Sequence, residues 1–158
     1  MTTAHLAKTY GTRNKGTGIP SRALNPGLIQ YTEVEISSAE VLAAFATPVE
    51  VIPAPGDGRV LEFISAVMIL DHGGTDYANA RTCHFEYYGG GTTVSDTVAA
   101  ATFINQADDC IVVCQALSAE AELSANTAIC WALDTGEVIT GNSPLRMKVS
   151  FRVYEAEL

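Results

Sequence analysis

His84 and Glu86 are the side chains of this sequence best placed to perform chemistry together. They lie two residues apart in a β-rich run, and residues two apart on a strand point to the same face. This pair matches the His-x-Glu half of a zinc-deaminase motif, whereas a cupin-type metal site needs two histidines two apart on a strand, a glutamate after them and a later histidine. The other histidines, His5 and His72, precede this strand, and no Pro-Cys-x-x-Cys accompanies it. We therefore expect no metal and no cofactor, and a cupin-like metal enzyme is the least favoured alternative.

The four cysteines, at positions 83, 110, 114 and 130, contain no Cys-x-x-Cys pair. Cys110 and Cys114 share one face of a predicted strand with Val112, which favours small apolar core residues with free thiols. The sequence also lacks Gly-x-Ser-x-Gly and a phosphate-binding glycine loop. We expect no catalytic residues, and we predict that the protein is not an enzyme.

Aromatic side chains offer a second kind of site. Tyr77, Tyr87, Tyr88 and Trp131 could together form a stacking platform for sugar rings, as in a carbohydrate-binding module of a head or tail fibre. Packing in the core or in an interface is the competing interpretation, and it is favoured for aromatic residues on strands.

Charge divides the chain into two parts. Residues 1–32 contain four basic residues and no acid, whereas residues 33–158 contain five basic and eighteen acidic residues. Glycine and proline interrupt the basic part. We predict an extended N-terminal arm over 1–30, with Lys8, Arg13, Lys15 and Arg22 as its binding residues, and a body over 31–158. The acidic body disfavours nucleic acid as a partner, and no apolar run is long enough to cross a membrane.

Breaker-rich turns divide residues 48–88 into three β-rich runs, which predicts an antiparallel meander of neighbouring strands. The middle run, 60–70, is apolar at both odd and even positions. This pattern predicts a strand buried on both faces, one against a partner sheet and the other against a loop or another subunit.

The remaining elements are short. Ser37 and Glu40 have capping-box spacing and predict one or two helical turns, and Asp96 is a candidate cap for a helix over 97–103. Further strands are predicted over 31–36, 109–117, 128–133 and 138–140. Seven to nine short strands without a βαβ repeat predict an all-β fold, an antiparallel β-sandwich or jelly-roll-like body.

The last strand alternates most regularly. Met147, Val149, Phe151 and Val153 would face the core, while Arg146, Lys148 and Arg152 would form a basic outer face. That face is either solvated, with its charges guarding against aggregation, or it meets acidic residues of a neighbouring subunit. The three basic residues are thus candidates for a subunit interface.

Several turn and strand motifs resemble structural proteins of tailed bacteriophages. They are the segment 38–63, with Thr-Pro-Val followed by Ala-Pro-Gly-Asp-Gly and a long apolar strand, Gly-Gly-Thr-Asp-Tyr at 73–77, and Val-Ser-Phe-Arg-Val-Tyr at 149–154. Over about residues 30–158 the chain resembles the capsid decoration, or cement, proteins that have a β-sandwich body.

That resemblance implies a structural protein that binds the outer surface of a phage head shell and stabilises it by bridging subunits. It implies the major capsid protein as a partner and self-association, with a homotrimer favoured over a dimer. We expect the arm to anchor the protein on the shell. Because the first residues lack the apolar core of a secretory signal, we expect synthesis in the host cytoplasm before the protein joins the virion.

Overall fold

The computed structural model describes residues 27–89, 91–118 and 122–156, and the regular secondary structure of these residues is almost entirely β-strand. The strands are β1 (Gln30–Ile36), β2 (Val49–Ile52), β3 (Arg59–Leu70), β4 (Cys83–Tyr87), β5 (Cys110–Gln115), β6 (Ile129–Leu133) and β7 (Leu145–Glu155). One six-residue helix, α1 (Ser38–Ala43), and one 3-10 turn at Ala100–Thr102 accompany them. The predicted all-β class is confirmed.

The strands form two antiparallel sheets. One has the order β1-β7-β3-β5, and the other has the order β2-β6-β4. Successive strands of the chain fall in alternate sheets, except where the segment 93–98 follows β4 in the same sheet. This segment bridges to β4 at Thr93–Glu86 and Val98–Cys83. With it as an irregular eighth strand, each sheet has four members and the fold is a jelly roll.

The predicted meander is wrong. β2, β3 and β4 follow one another along the chain, but β3 lies in the four-stranded sheet while β2 and β4 lie in the other. The connection at 53–58 is long enough to cross the gap of about 10 Å between stacked sheets. A breaker-rich turn marks a reversal of the chain, and it does not specify whether the next strand stays in the same sheet.

A bulge in β3 explains why its sequence is apolar at both parities. The pairing with β7 shifts register between Phe63 and Ser65. Leu61 and Phe63 face inward before the bulge, whereas Ala66, Met68 and Leu70 face inward after it. The inward parity therefore changes within one strand. In the described chain the outer face of β3 is only partly covered, with Val67 38% exposed, so burial of that face by another subunit stays a prediction.

The core lies between the two sheets. Phe63 of one sheet stacks on Phe85 of the other, with their ring centroids 4.8 Å apart. Trp131, at the centre of the three-stranded sheet, is completely buried. These buried rings join the inner faces of the two sheets into one continuous apolar core.

Helix α1 begins at the predicted capping box. The Glu40 N–H donates to Ser37 Oγ (3.3 Å), and the Ser37 N–H donates to Glu40 Oε2 (3.0 Å). The predicted helix after Asp96 is absent from the described chain, where residues 97–103 contain only the 3-10 turn. Its β-branched residues favour extended backbone, and Val98 pairs with Cys83 instead.

The described chain begins beside the end of β7, where the Gly27 N–H donates to the Val153 carbonyl at 3.0 Å. The basic residues of the predicted arm, Lys8, Arg13, Lys15 and Arg22, lie outside the described residues. No helix of the described chain is long and apolar enough to cross a membrane.

Candidate functional site

His84 and Glu86 do share a face, as the strand pattern predicts. His84 Nε2 lies 3.2 Å from Glu86 Oε2 on the outer side of the three-stranded sheet. The pair lines a cleft of about 420 Å³, which is also bordered by Phe45, Thr93 and Asp134. Among the described residues, no group of three or more His, Cys, Asp or Glu side chains could hold a metal ion. The arrangement can hydrogen-bond a small polar group, but it supplies only two of the ligands that a catalytic metal needs.

The cysteines lie in apolar surroundings. Cys83, Cys114 and Cys130 are buried, and Cys110 is partly buried. Burial raises the pKa of the Cys83 thiol to about 12 and also raises the pKa of Cys114. Since the thiolate is the reactive form, these two side chains are inert at neutral pH. The prediction that they act as small core residues fits their positions.

The four aromatic residues considered for a sugar platform do not meet on one surface. Tyr77, Tyr87 and Trp131 are buried in the core, and only Tyr88 is exposed, at 62%. The Tyr77 hydroxyl donates to the Ser143 carbonyl and the Tyr87 hydroxyl donates to the Leu61 carbonyl. These residues consolidate the sandwich, so the stacking platform predicted as an alternative is wrong.

The basic residues of β7 lie on the outer face of the four-stranded sheet, where acidic residues of β1 and β3 stand opposite them. The directly opposed pairs are Glu33–Lys148, Glu35–Arg146 and Glu62–Arg152. Opposite charges across neighbouring strands stabilise their pairing. The face is therefore mixed in charge rather than basic.

Each of the three basic side chains also has a defined contact. Arg146 donates two hydrogen bonds to Asp71, Nε to Oδ2 at 2.6 Å and Nη2 to Oδ1 at 2.7 Å, and this guanidinium lowers the pKa of the Asp71 carboxyl. Lys148 Nζ lies 3.9 Å from the centre of the Tyr31 ring. Arg152 Nη1 donates to Glu62 Oε2 at 3.4 Å. Their role in a subunit interface remains a prediction, and acidic residues of this same chain already engage them.

An apolar patch lies beside these charges on the same outer face. It consists of Val67 and Ile69 of β3 and of Ile111 and Val113 of β5. Val67 stands opposite Val113, and Ile69 stands opposite Ile111. Ile111 is 67% exposed and Val113 is 56% exposed. Contiguous exposed apolar side chains mark interaction sites in soluble proteins, which makes this apolar patch the strongest candidate surface of the described chain.

Sequence reasoning missed the β5 half of the apolar patch. The run from Cys110 to Gln115 is apolar at both parities, so its pattern cannot tell the inward face from the outward one. For β3, the sequence pattern predicts that the outer face is covered, either by a loop or by another subunit. The described residues contain no loop that covers Ile111 and Val113.

The fold is similar to one chain of a solved structure described as the cyanophage Pam1 capsid asymmetric unit. The TM-score is 0.51 and the sequences are 14% identical, with 89% of this chain and 92% of that chain covered. At this identity the likeness establishes a shared fold. No protein-family model matches the sequence, and no curated protein is similar to it.

Proposed function

We propose that this protein is a structural component of a bacteriophage virion that decorates the outer surface of the head shell. The observation that carries the proposal is the fold. A jelly roll of this topology matches a chain of a cyanophage capsid asymmetric unit over nearly the whole length of both chains. Jelly rolls serve many functions, so the sequence motifs and the surfaces of the body must supply the rest of the argument.

The surfaces of the body favour a binding role over a catalytic one. The described thiols are mostly buried, and the histidine–glutamate pair has no third ligand within the described chain. The exposed apolar patch, in contrast, is suited to contact with another protein. These features support a protein that works by binding, and they support the interpretation that it is not an enzyme.

The proposed mechanism is mass action on the assembled shell. A protein that bridges neighbouring major capsid subunits binds the closed shell and not its separated parts, so binding stabilises the closed state. The basic arm would lie on the capsid subunits through Lys8, Arg13, Lys15 and Arg22, while the acidic body stays outside. In this arrangement the capsid subunits hold the arm on the outer surface of the head shell, and the body is therefore located on the outside of the virion.

Binding to head shells tests the proposal directly. Purified full-length protein, mixed with phage head shells that lack it, should co-sediment with the shells and raise the temperature at which they open. Failure of the full-length protein to co-sediment with shells of its own phage would contradict the proposed function.

Deleting residues 1–26 tests the arm separately. The deletion should stop before Gly27, because the Gly27 N–H is bonded to the body at Val153. We expect a folded body with strongly reduced binding to shells. The matched control replaces only the four basic residues of the arm with glutamine, which keeps the length of the arm. Full binding by the truncated protein would show that the arm is not the anchor.

A further inference from the structure

The cleft beside His84 and Glu86 has the size of a ligand site. Its volume of about 420 Å³ falls within the range of small-molecule sites, roughly 300–1,000 Å³. Phe45, Pro48 and Ala132 supply an apolar part of its lining, and polar residues supply the remainder. Binding to a head shell makes no use of this cleft, so its lining calls for a separate explanation.

The strand register places a carboxylate at each end of the cleft. Glu86 of β4 stands opposite Cys130 of β6, and His84 stands opposite Ala132. Asp134 follows four residues after Cys130, which is about 13 Å along an extended strand. The cleft therefore runs along β6 from Glu86 to Asp134, with the small side chain of Ala132 between the two carboxylates.

The polar lining is better suited to accept hydrogen bonds than to donate them. The carboxylates of Glu86 and Asp134 only accept. His84 Nε2 lies 3.2 Å from Glu86 Oε2, and a neutral imidazole donates its single N–H to that carboxylate. Thr93 and Thr97 can donate or accept, and no lysine, arginine, asparagine or glutamine belongs to the described lining. A ligand of this cleft must therefore supply hydrogen-bond donors.

The outer face of the three-stranded sheet is negatively charged. Its strands carry Glu50 and Glu86 but no lysine or arginine. Within the described chain, neither Glu86 nor Asp134 forms an ion pair with a lysine or arginine, whereas Arg146 and Arg152 pair with acids elsewhere. The Glu86 side chain is largely buried, and burial strengthens its attraction for an opposite charge. These features favour a positively charged ligand.

We propose that this cleft binds an alkylguanidinium or alkylammonium ion, which is the chemistry of an arginine or lysine side chain. The cationic head donates hydrogen bonds to Glu86, and the alkyl stem lies over Ala132 toward Asp134. Phe45, which is exposed, offers apolar surface to the stem and an aromatic ring to the cation. A neutral sugar would gain nothing from the negative charge of the cleft. The proposal concerns the isolated protein and does not depend on binding to head shells.

The ligand class can be tested with Nα-acetyl-arginine methylamide as the probe. The corresponding citrulline derivative is the matched control, because its side chain has nearly the same shape without the charge. In the full-length protein, the backbone amide NMR signals of residues 84–86 and 132–134 should shift in a saturable way with the arginine probe. The citrulline probe should bind roughly tenfold more weakly. Equal binding of the two probes would overturn the proposal.

The cation can come from the basic arm of the protein itself or from another molecule. A full-length variant in which glutamine replaces the four basic residues of the arm separates these sources. If an arm side chain occupies the cleft, this variant should bind the arginine probe more tightly than the natural protein. Equal affinity assigns the cleft to a cation from outside the chain. Absence of probe binding in both proteins would overturn the proposal.

Substitutions in the cleft locate the binding site. Glu86→Gln should weaken binding of the arginine probe roughly tenfold. Glu50→Gln is the matched control, since Glu50 also stands opposite Cys130 but lies outside the described lining, and it should change the affinity by less than about twofold. If Glu86→Gln does not fold, Asp134→Asn at an exposed position should weaken binding about threefold. A folded Glu86→Gln or Asp134→Asn protein with unchanged affinity would overturn the proposal.

Discussion

At the scale of single residues, two buried tyrosines connect segments that are distant in the sequence. Tyr87 of β4 reaches across the sandwich to the Leu61 carbonyl of β3, and Tyr77 reaches the Ser143 carbonyl. Burial raises the pKa of each phenol to about 12. Both hydroxyls therefore stay protonated in the folded protein at pH values where they ionise in the unfolded chain.

This difference predicts a loss of stability in alkali. Between about pH 10 and pH 12 the unfolded chain releases protons that the folded chain retains, so the free energy of unfolding falls as the pH rises. The expected loss is about 1–3 kcal/mol for each tyrosine, measured by urea unfolding at a series of pH values. Tyr87→Phe should make this pH dependence shallower, because it removes one of the two phenols whose pKa is raised by burial. An equal slope in the natural protein and in Tyr87→Phe would contradict the assignment.

The position of Gly141 predicts a steric effect of substitution on the buried ring of Tyr77. Its φ is +100°, and a Cβ atom added there would lie 2.3 Å from Cδ1 of the Tyr77 ring. Gly74 has a similar φ of +91° with open space around it. Gly74→Ala should therefore cost only backbone strain, about 1–2 kcal/mol. Gly141→Ala should cost about 1–3 kcal/mol more because the buried ring must move. Thermal unfolding compares the two variants, and equal losses would argue against the close contact.

At the scale of elements, the features encoded by neighbouring residues could be predicted from the sequence, and those encoded by distant residues could not. The capping box of α1 and the alternation of β7 each depend on a few adjacent positions, and both are confirmed. The assignment of β2, β3 and β4 to one sheet failed because the choice of sheet depends on packing between distant segments. The face of β7 was expected to be basic because its opposing acids, Glu35 and Glu62 among them, come from other strands.

The capping box predicts a measurable contribution of a single side chain to α1. Ser37→Ala removes the acceptor for the Glu40 N–H and should lower the free energy of unfolding by about 1 kcal/mol. Ser38→Ala, one residue further on and inside the helix, removes no cap and should change it by less than about 0.5 kcal/mol. Chemical unfolding of both variants gives the comparison, and a Ser37→Ala protein as stable as the control would show that the cap contributes nothing.

At the scale of the whole molecule, the division between a basic segment and an acidic body predicts how binding responds to salt. Four basic residues lie in residues 1–32, and all eighteen acidic residues lie after them. If the arm anchors the protein, its attraction to the shell is screened as ionic strength rises.

Co-sedimentation with head shells should therefore weaken between about 0.05 M and about 0.5 M salt for the full-length protein. Residual binding by the protein lacking residues 1–26 should change far less over the same range. Salt-independent binding of the full-length protein would argue against an electrostatic anchor.

The position of β7 also determines when the protein can fold during its synthesis. β7 is the last strand of the described chain, yet it lies between β1 and β3 in the four-stranded sheet. While the ribosome is still making the chain, β1 is present but has no neighbour with which to pair, and β3 lacks one of its two partners. The sandwich can therefore close only after residues 145–155 have emerged. Such long-range pairing slows folding, so the nascent chain must stay unaggregated until β7 completes the sheet.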